Sequence, residues 1–444
     1  MIAALAAAML GLVLAIPVPL ASLPTDAASA GDVTRGEYLT RIGDCAACHT
    51  AIGGEPFAGG LAIETPFGVI WSPNITPDPD TGIGRWNDGE FVRALQYGIR
   101  NDGKRLYPAM PYPEFSKVST EDVLAIRAYL RTLPPVVRRN RPVEFPFPLN
   151  LRVLMRAWDL LFFHPGRFRP DPKLDDVQNR GAYLVQGLAH CGACHTPRNF
   201  LGASKQREFL HGARYANWYA LDLTPDPASG LGRIASQQIV ALLHEGRTSL
   251  TSVTGQMPEV VHYSTQHLSG ADVAAITAYL KTLPAAHADG PSGFDAMAPA
   301  FNAARSADAM TLGRQIYLDN CDACHQSSGR GVADVFASLA GNPAVLAPDP
   351  TQLIHVVLTG ASQLPTKSRP SAFTMPEFDA RLSDVQIAAV LSFVRNSWGN
   401  HASDVSAHDV AKLRSRIARA PRSRTDPKDW ASTQQALYGR EPSD

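Results

Sequence analysis

The cysteines of the chain occur in three copies of one motif, and this motif carries its strongest chemical signal. The pattern Cys-x-x-Cys-His occupies residues 45–49, 191–195 and 321–325. On a helical turn the two thiols lie on one side, within reach of the two vinyl groups of one porphyrin, and the adjoining histidine meets the iron. This pattern is the attachment signature of c-type haem, so the sequence predicts three haem c groups. The predicted attachment residues are Cys45, Cys48, Cys191, Cys194, Cys321 and Cys324, and the predicted proximal iron ligands are His49, His195 and His325.

A single Cys-x-x-Cys pair has other interpretations: a redox dithiol, half of a zinc site or a disulfide. A zinc site needs a second pair of ligands nearby, and the three motifs contain all six cysteines of the chain. A thioredoxin-like dithiol lies in a βαβ pattern, which the sequence lacks. A histidine after every pair therefore favours haem over these alternatives.

Three methionines are candidates for the second axial position of each iron. Of the eight methionines, Met110, Met257 and Met375 each precede a proline and follow the motif histidines by 61, 62 and 50 residues (110 − 49, 257 − 195 and 375 − 325). Proline restricts the neighbouring backbone and can hold a thioether rigidly. Methionine is often only a core gap-filler. The repeated register instead predicts methionine ligation, which closes the distal side and suits electron transfer.

The elements around the motifs repeat as well. A short helical pattern containing Gly36, Gly181 or Gly313 precedes each motif, and copies one and two share a downstream loop at 75–85 and 223–233 that copy three lacks. Each copy closes with a helix that begins at Ser119, Ser269 or Ser383, each followed three residues later by Asp or Gln as in a capping box. Apolar residues at spacings of three, four and seven share one face of each closing helix. We expect the first and last helices of each copy to cross and to bury both apolar faces.

These repeats predict an all-α fold of three tandem domains of about a hundred residues each. Pro134 and Pro284 are expected to end the first two closing helices. The predicted organisation is an export segment at 1–30, a first domain at 31–135, a linker with an apolar helix at 136–176, a second domain at 177–285, a linker at 286–304, a third domain at 305–400 and a basic tail at 401–444.

The amino terminus has the composition of an export signal. No charged side chain occurs from Met1 to Thr25, and Ala28-Ser29-Ala30 has the small-x-small form of a cleavage site. No Lys or Arg precedes the apolar run, and a retained membrane anchor is the competing interpretation. Composition excludes another class of function: 41 basic and 41 acidic residues leave no net charge, which argues against a nucleic-acid partner.

With these residues in view, the chain resembles the multihaem cytochrome c subunits of membrane-associated periplasmic dehydrogenases for alcohols, aldehydes or gluconate. The resemblance rests on the haem motifs, the Met-Pro pairs, the loop 72–86 and the segment 145–163. It implies three tandem class I-like cytochrome c domains without catalysis of their own. It also implies a large flavin, quinoprotein or molybdenum dehydrogenase subunit as electron donor, and ubiquinone or a terminal oxidase as acceptor, at the outer face of the cytoplasmic membrane.

Two segments are candidates for membrane or partner contacts. The apolar helix at 151–163 either packs between the first two domains or lies on a membrane surface or docks on a partner. Basic residues from Lys412 to Arg424 form either a solvated tail or a lipid-binding segment, and deletion after Asn400 is expected to release the chain from membranes without altering its haem spectrum.

Two other functions remain open. A self-sufficient haem enzyme, such as a peroxidase or small-molecule oxidase, would need one open distal position and would bind carbon monoxide when reduced. A cytochrome subunit of a terminal oxidase would share the haem chemistry but usually shows a definite anchor.

Overall fold

The computed structural model describes residues 30–287, 293–295 and 307–418. Residues 1–29 of the predicted export segment, most of the linker at 286–304 and the basic residues from Arg419 onward lie outside the described residues. Within the described parts of the chain, no helix is both long and apolar enough to cross a membrane.

The first copy runs from a helix through a haem motif and a hairpin to a closing helix. Its elements are α1 (Ala30–Ile42), α2 (Cys45–His49), β1 (Ala62–Thr65), β2 (Gly68–Trp71), α3 (Asp88–Tyr97), α4 (Tyr112–Phe115) and α5 (Thr120–Leu130), and α6 (Leu154–Phe162) follows in the connecting segment.

The second copy repeats this order. Its elements are α7 (Asp176–Tyr183) with a π-helical continuation (Leu184–Leu188), α8 (Gly192–His195), a 3₁₀ turn (Gln206–Glu208), β3 (Ala213–Tyr215), β4 (Trp218–Ala220), α9 (Ser236–Glu245), α10 (Met257–Tyr263), a second 3₁₀ turn (Thr265–His267) and α11 (Gly270–Thr282).

The third copy has a shorter connection after its motif. Its elements are α12 (Ala307–Asn320), α13 (Asp322–His325), α14 (Pro343–Leu346), α15 (Thr351–Thr359), β5 (Ala361–Ser362), β6 (Thr374–Met375), α16 (Asp384–Arg395) and α17 (Ala407–Ile417).

Among the described residues, three short antiparallel hairpins depart from the all-α prediction. Strand β1 pairs with β2, β3 with β4, and β5 with β6, over four, three and two residue pairs respectively. In the first hairpin the chain reverses at Gly68, whose φ of 131° is a conformation that favours glycine. The rest of the architecture is mostly helical, as the sequence predicts.

In every copy the helix before the motif crosses the closing helix at a glycine. A Cβ added to Gly36 would overlap the carbonyl group of Ala125 on α5. The absence of a side chain therefore lets the two helices approach to backbone contact, as the paired apolar faces predict. The same overlap would occur at Gly181 with Ala275 and at Gly313 with Ala389.

Serine caps begin the three closing helices at the predicted positions. The hydroxyl oxygens of Ser119, Ser269 and Ser383 each accept a hydrogen bond from the backbone N–H three residues later. Only Ser383 has the complete capping box, because Gln386 is long enough to bond back to its N–H. The shorter acid side chains at the corresponding positions pair with arginines instead: Asp122 with Arg35, and Asp272 with Arg180.

The described residues form two compact units, whereas the sequence predicts three domains. One unit contains the described residues up to Lys173 together with Ala182–Ala193 and Phe200–Ala203. The other contains Leu174–Gly181, Cys194–Asn199 and the described residues from Ser204 onward.

Long-range contacts explain why the units do not follow the repeats. In the first unit, the Tyr183 hydroxyl donates to the carboxylate of Asp122, and the rings of His190 and Phe115 meet edge to face. In the other unit, Trp218 stacks on His355 with ring centroids 3.6 Å apart. The three-domain boundaries therefore stay a prediction about the repeats in the sequence.

Part of the segment predicted as a basic tail at 401–444 forms the folded carboxyl-terminal helix α17. Val410 and Leu413 are buried in the apolar core that also contains Phe393 of α16. The Arg414 guanidinium pairs with Asp384, with Nε and Oδ1 2.8 Å apart. Residues 407–417 are thus part of the folded third copy.

Candidate haem-binding sites

The three motif histidines are held in one orientation by the backbone. The Nδ1–H group of His49 donates to the Pro73 carbonyl oxygen at 2.8 Å. The corresponding bonds run from His195 to Leu221 at 2.7 Å and from His325 to Ala337 at 2.9 Å. Because a carbonyl oxygen can only accept, each Nδ1 carries the proton and each Nε2 keeps its lone pair for a metal.

Burial keeps these three rings neutral. Desolvation lowers the pKa of His49, of His195 and of His325 below the ordinary histidine value, and the bond to the carbonyl only partly offsets it. A neutral imidazole with an available Nε2 is the form that ligates iron. The histidines therefore fit the proximal position of a haem.

A glycine beyond each motif closes the chain back onto the histidine. The N–H groups of Gly59, Gly212 and Gly331 donate to the carbonyl oxygens of His49, His195 and His325 at 2.7, 2.9 and 2.9 Å. All three glycines have positive φ, between 60° and 80°. This bond brings the segment with the acceptor carbonyl next to the imidazole ring.

In the first two copies the shared loop is stabilised by an aspartate. The carboxylate of Asp78 accepts from the N–H and the hydroxyl of Thr81, and these bonds hold the pKa of Asp78 below its usual value. Asp226 accepts in the same way from the N–H of Ser229. The repeat seen in the sequence is therefore also a repeat of hydrogen bonds.

The first cysteine of each motif lies at the start of the short motif helix or just before it, and the second lies within that helix. Burial and the neighbouring Asp44 raise the pKa of the Cys45 thiol to about 12, and burial raises that of Cys321 to about 11. At Cys45 and Cys321 burial therefore favours the protonated thiol over the thiolate, unlike in an activated redox dithiol.

The predicted methionine ligands are half-buried, and their loops return to the end of the preceding helix. Val253 lies four residues before Met257, and its N–H donates to the carbonyl of Gly246 at 2.8 Å. Gly246 is the residue after α9. Leu106 makes the corresponding bond to Gly98 at 2.7 Å before Met110. In the third copy Met375 itself pairs with Ala361 of β5 and packs against the apolar core. Ligation by these methionines stays a prediction.

The residues that hold the histidines were not identified from the sequence. The acceptors on Pro73, Leu221 and Ala337 are backbone carbonyls, which have no side-chain signature. Alignment of the loops of the first two copies could have located Pro73 and Leu221. Nothing comparable marks Ala337, because the third copy lacks the loop.

Helix α6 combines the two interpretations open for the apolar segment. Trp158 packs in a buried cluster with Tyr112, and its indole N–H donates to the Leu201 carbonyl at 2.9 Å. Leu160 and Leu161 are 51% and 62% exposed. The helix is therefore packed on one side and presents leucines to solvent on the other.

Comparison with known proteins agrees with the chemistry of these sites. The family model described as cytochrome c matches residues 33–134 and 310–398. The cytochrome c subunit of the quinone-type alcohol dehydrogenase of Komagataeibacter europaeus is 44% identical, over 86% of this chain and 84% of its own length. The gluconate 2-dehydrogenase cytochrome c subunit of Pantoea cypripedii is 42% identical, over 89% of this chain and 92% of its own. The fructose dehydrogenase cytochrome subunit of Gluconobacter japonicus is 38% identical, over 86% and 82%. The chain thus belongs to the family of cytochrome c subunits of dehydrogenase complexes, electron-transfer subunits that are not catalytic alone.

Proposed function

We propose that the chain carries three covalent haem c groups and passes electrons from a large dehydrogenase subunit to ubiquinone or a terminal oxidase. The observation that carries this proposal is the threefold bond from a motif Nδ1–H to a backbone carbonyl. Each haem, when bound, accepts and releases one electron.

The roles of the chain's residues follow from their chemistry. The cysteine pairs form thioethers, the buried histidines offer Nε2 to the iron, and Met110, Met257 and Met375 close the distal side. Imidazole opposite thioether favours a higher reduction potential than two imidazoles, which suits transfer toward a quinone. The names of the relatives support a dehydrogenase as donor.

Haem counting tests the proposal. In a host that attaches haem c, the intact chain should carry three haems by mass spectrometry, and replacing both cysteines of one motif by alanine should remove one. Met110→Ala, Met257→Ala and Met375→Ala should each open one iron to carbon monoxide after reduction, while the parent protein binds none. Fewer than three haems, or stoichiometric carbon monoxide binding by the parent, would contradict the proposal, and the latter result would favour a self-sufficient haem enzyme.

We also propose that the chain works in the periplasm, bound to the membrane surface. The exposed leucines of α6 support the membrane contact, since exposed apolar side chains favour contact with a partner or a membrane. Because α17 is folded into the third copy, a deletion that tests the basic end without unfolding this helix begins after Ala418 and not after Asn400. Loss of vesicle binding with an unchanged haem spectrum would assign lipid contact to the basic end, and unchanged binding would leave it to α6.

A further inference from the structure

Asp222 in the second copy occupies the position of Asn74 in the first. Each follows the residue whose carbonyl accepts the hydrogen bond of the motif histidine, Leu221 or Pro73. Each also begins the same turn, because its Oδ1 accepts from the backbone N–H two residues later, at 2.9 Å for Asn74 and 2.6 Å for Asp222. The two side chains are therefore structural equivalents.

The second polar group at the end of the side chain differs between the two residues: it is the Nδ2 amide group in Asn74 and the Oδ2 carboxylate oxygen in Asp222. The Nδ2 group of Asn74 donates to the Val136 carbonyl at 2.8 Å and to the Thr81 hydroxyl at 3.2 Å. A carboxylate has no hydrogen to donate. Asp222 is only 3% exposed, and its Oδ2 has no hydrogen-bond partner among the described residues. A buried, unpartnered carboxylate oxygen is unfavourable, so this position needs a proton or a cation.

A second residue difference between the two copies accompanies the exchange of asparagine for aspartate. The Val136 N–H donates to the Thr76 hydroxyl in the first copy at 3.2 Å. The Ala286 N–H donates to the equivalent Thr224 hydroxyl in the second copy at 3.0 Å. The next residues, Val137 and His287, are therefore also equivalents. Where the first copy has asparagine and valine, the second has aspartate and histidine, two residues that bind metals.

Asp226 completes a set of three ligands. One ligand atom from each of Asp222, Asp226 and His287 lies within 4.8 Å of the others. His287 Nδ1 and Asp226 Oδ2 are 3.2 Å apart. Two ligands at about 2.0–2.1 Å from a tetrahedral ion are separated by about 3.3 Å. The two carboxylates are buried, while the histidine side chain is 64% exposed and leaves a route for an ion and for water.

We propose that Asp222, Asp226 and His287 bind one divalent cation that accepts mixed nitrogen and oxygen ligands, as Zn²⁺ does, with water in the remaining positions. The donor set favours such an ion over Ca²⁺, which takes oxygen ligands. The corresponding position in the first copy, with Asn74 and Val137, supplies neither the buried carboxylate nor the imidazole.

The site is close to the second motif histidine. Asp222 directly follows Leu221, whose carbonyl holds His195. The residues that follow the corresponding carbonyls in the other copies, Asn74 and Ser338, are neutral. A bound cation would offset the negative charge of the two carboxylates beside the second haem site. Less negative charge near a haem favours its reduced form, so the reduction potential of that haem would rise.

Zinc binding by the holoprotein tests the proposal. The untagged, haem-loaded chain is stripped with a chelator and titrated with Zn²⁺ alone, and bound metal is measured by elemental analysis after dialysis. We expect one equivalent to bind, and binding to weaken by about 100-fold or more in the double variant Asp222→Asn, His287→Val. This variant restores the residues of the first copy and should fold. The variant Glu121→Gln, His164→Val, which removes an exposed acid and an exposed histidine elsewhere, should bind like the parent.

Two outcomes would overturn the inference. Equal Zn²⁺ binding by the parent and the double variant, including no binding by either, would show that these residues do not form a site. An infrared band of a protonated carboxylic acid, present in the Zn²⁺-treated parent and lost in Asp222→Asn, would show that a proton occupies the position. Redox titration gives a further readout, since Zn²⁺ should raise one haem potential in the parent and none in the double variant.

Discussion

The first and third motif histidines are held by the same hydrogen bond from very different stretches of chain. His49 reaches the Pro73 carbonyl, 24 residues away and beyond the hairpin β1–β2. His325 reaches the Ala337 carbonyl, only 12 residues away in a connection without that hairpin. The lengths of the two bonds differ by only 0.1 Å (2.8 against 2.9 Å). The connection can therefore differ in length by 12 residues (24 − 12) while a carbonyl oxygen still meets the ring.

The glycine that closes each connection makes this possible. Gly59 and Gly331 both donate to the carbonyl of their motif histidine and both have positive φ. A Cβ on either would meet the acceptor residue, Pro73 or Ala337. The comparison indicates that one bond from the imidazole to a backbone carbonyl, one backbone bond and one glycine define the histidine environment in both copies.

Replacing the motif histidine of the first or the third copy removes the predicted iron ligand and should have the largest effect. In His49→Ala and in His325→Ala, the thioethers would still hold the cofactor, but one iron would lose its proximal ligand. We expect about one third of the low-spin haem signal to disappear in each variant, and electron transfer through the reconstituted complex to fall by about 100-fold or more. Optical and magnetic resonance spectra measure the first and quinone reduction the second. Full retention of the low-spin signal would refute the ligand assignment.

Alanine at the closing glycine should have the next largest effect. Gly59→Ala and Gly331→Ala combine a strained backbone with overlap on the acceptor residue, and we expect each to lower the free energy of unfolding by about 2–3 kcal/mol. Gly103 is a matched control, because its φ is 77° but a Cβ there would meet nothing within 4 Å. Gly103→Ala should cost about 1 kcal/mol. Denaturant unfolding followed at the haem absorbance measures all three, and equal losses at the three positions would disprove the special role of the acceptor contact.

Much of this site was predictable from the sequence, and the remainder was not, for identifiable reasons. The motif spacing located His49 and His325, and the serines followed three residues later by Asp or Gln located the caps, because both patterns depend on side chains at fixed local intervals. The acceptor carbonyls were missed since they lie at different distances along the chain and involve only backbone. The division into two units depends on long-range contacts such as that of Tyr183 with Asp122, which no local pattern indicates.

The helix crossings allow a weaker test of whether the copies are equivalent. In Gly181→Ala and Gly313→Ala, the new methyl group would push the crossing helices apart, and we expect a loss of about 1–3 kcal/mol in each. Gly270, in the helix that Gly181 contacts, is the control, because a Cβ there would meet nothing within 4 Å. Gly270→Ala should be neutral or slightly stabilising, since alanine favours helix by up to about 1 kcal/mol. If all three variants unfold at the same denaturant concentration as the parent, the crossings are looser than the structure indicates.

Replacing the serine caps of the closing helices should give the smallest changes in the free energy of unfolding. Ser269→Ala removes one hydrogen bond to the Asp272 N–H, so we expect a loss of about 1 kcal/mol. Ser383→Ala also disturbs the return bond from the Ser383 N–H to Gln386, because that bond forms only when the cap geometry is fixed. We therefore expect the loss at Ser383 to exceed that at Ser269 by a few tenths of a kcal/mol, and Gln386→Ala to abolish the difference. Calorimetry of the holoprotein would measure these differences in stability. A larger loss at Ser269 than at Ser383 would contradict the expectation. It would mean that the ion pair of Asp272 with Arg180 depends more strongly on its serine cap than the bond to Gln386 does.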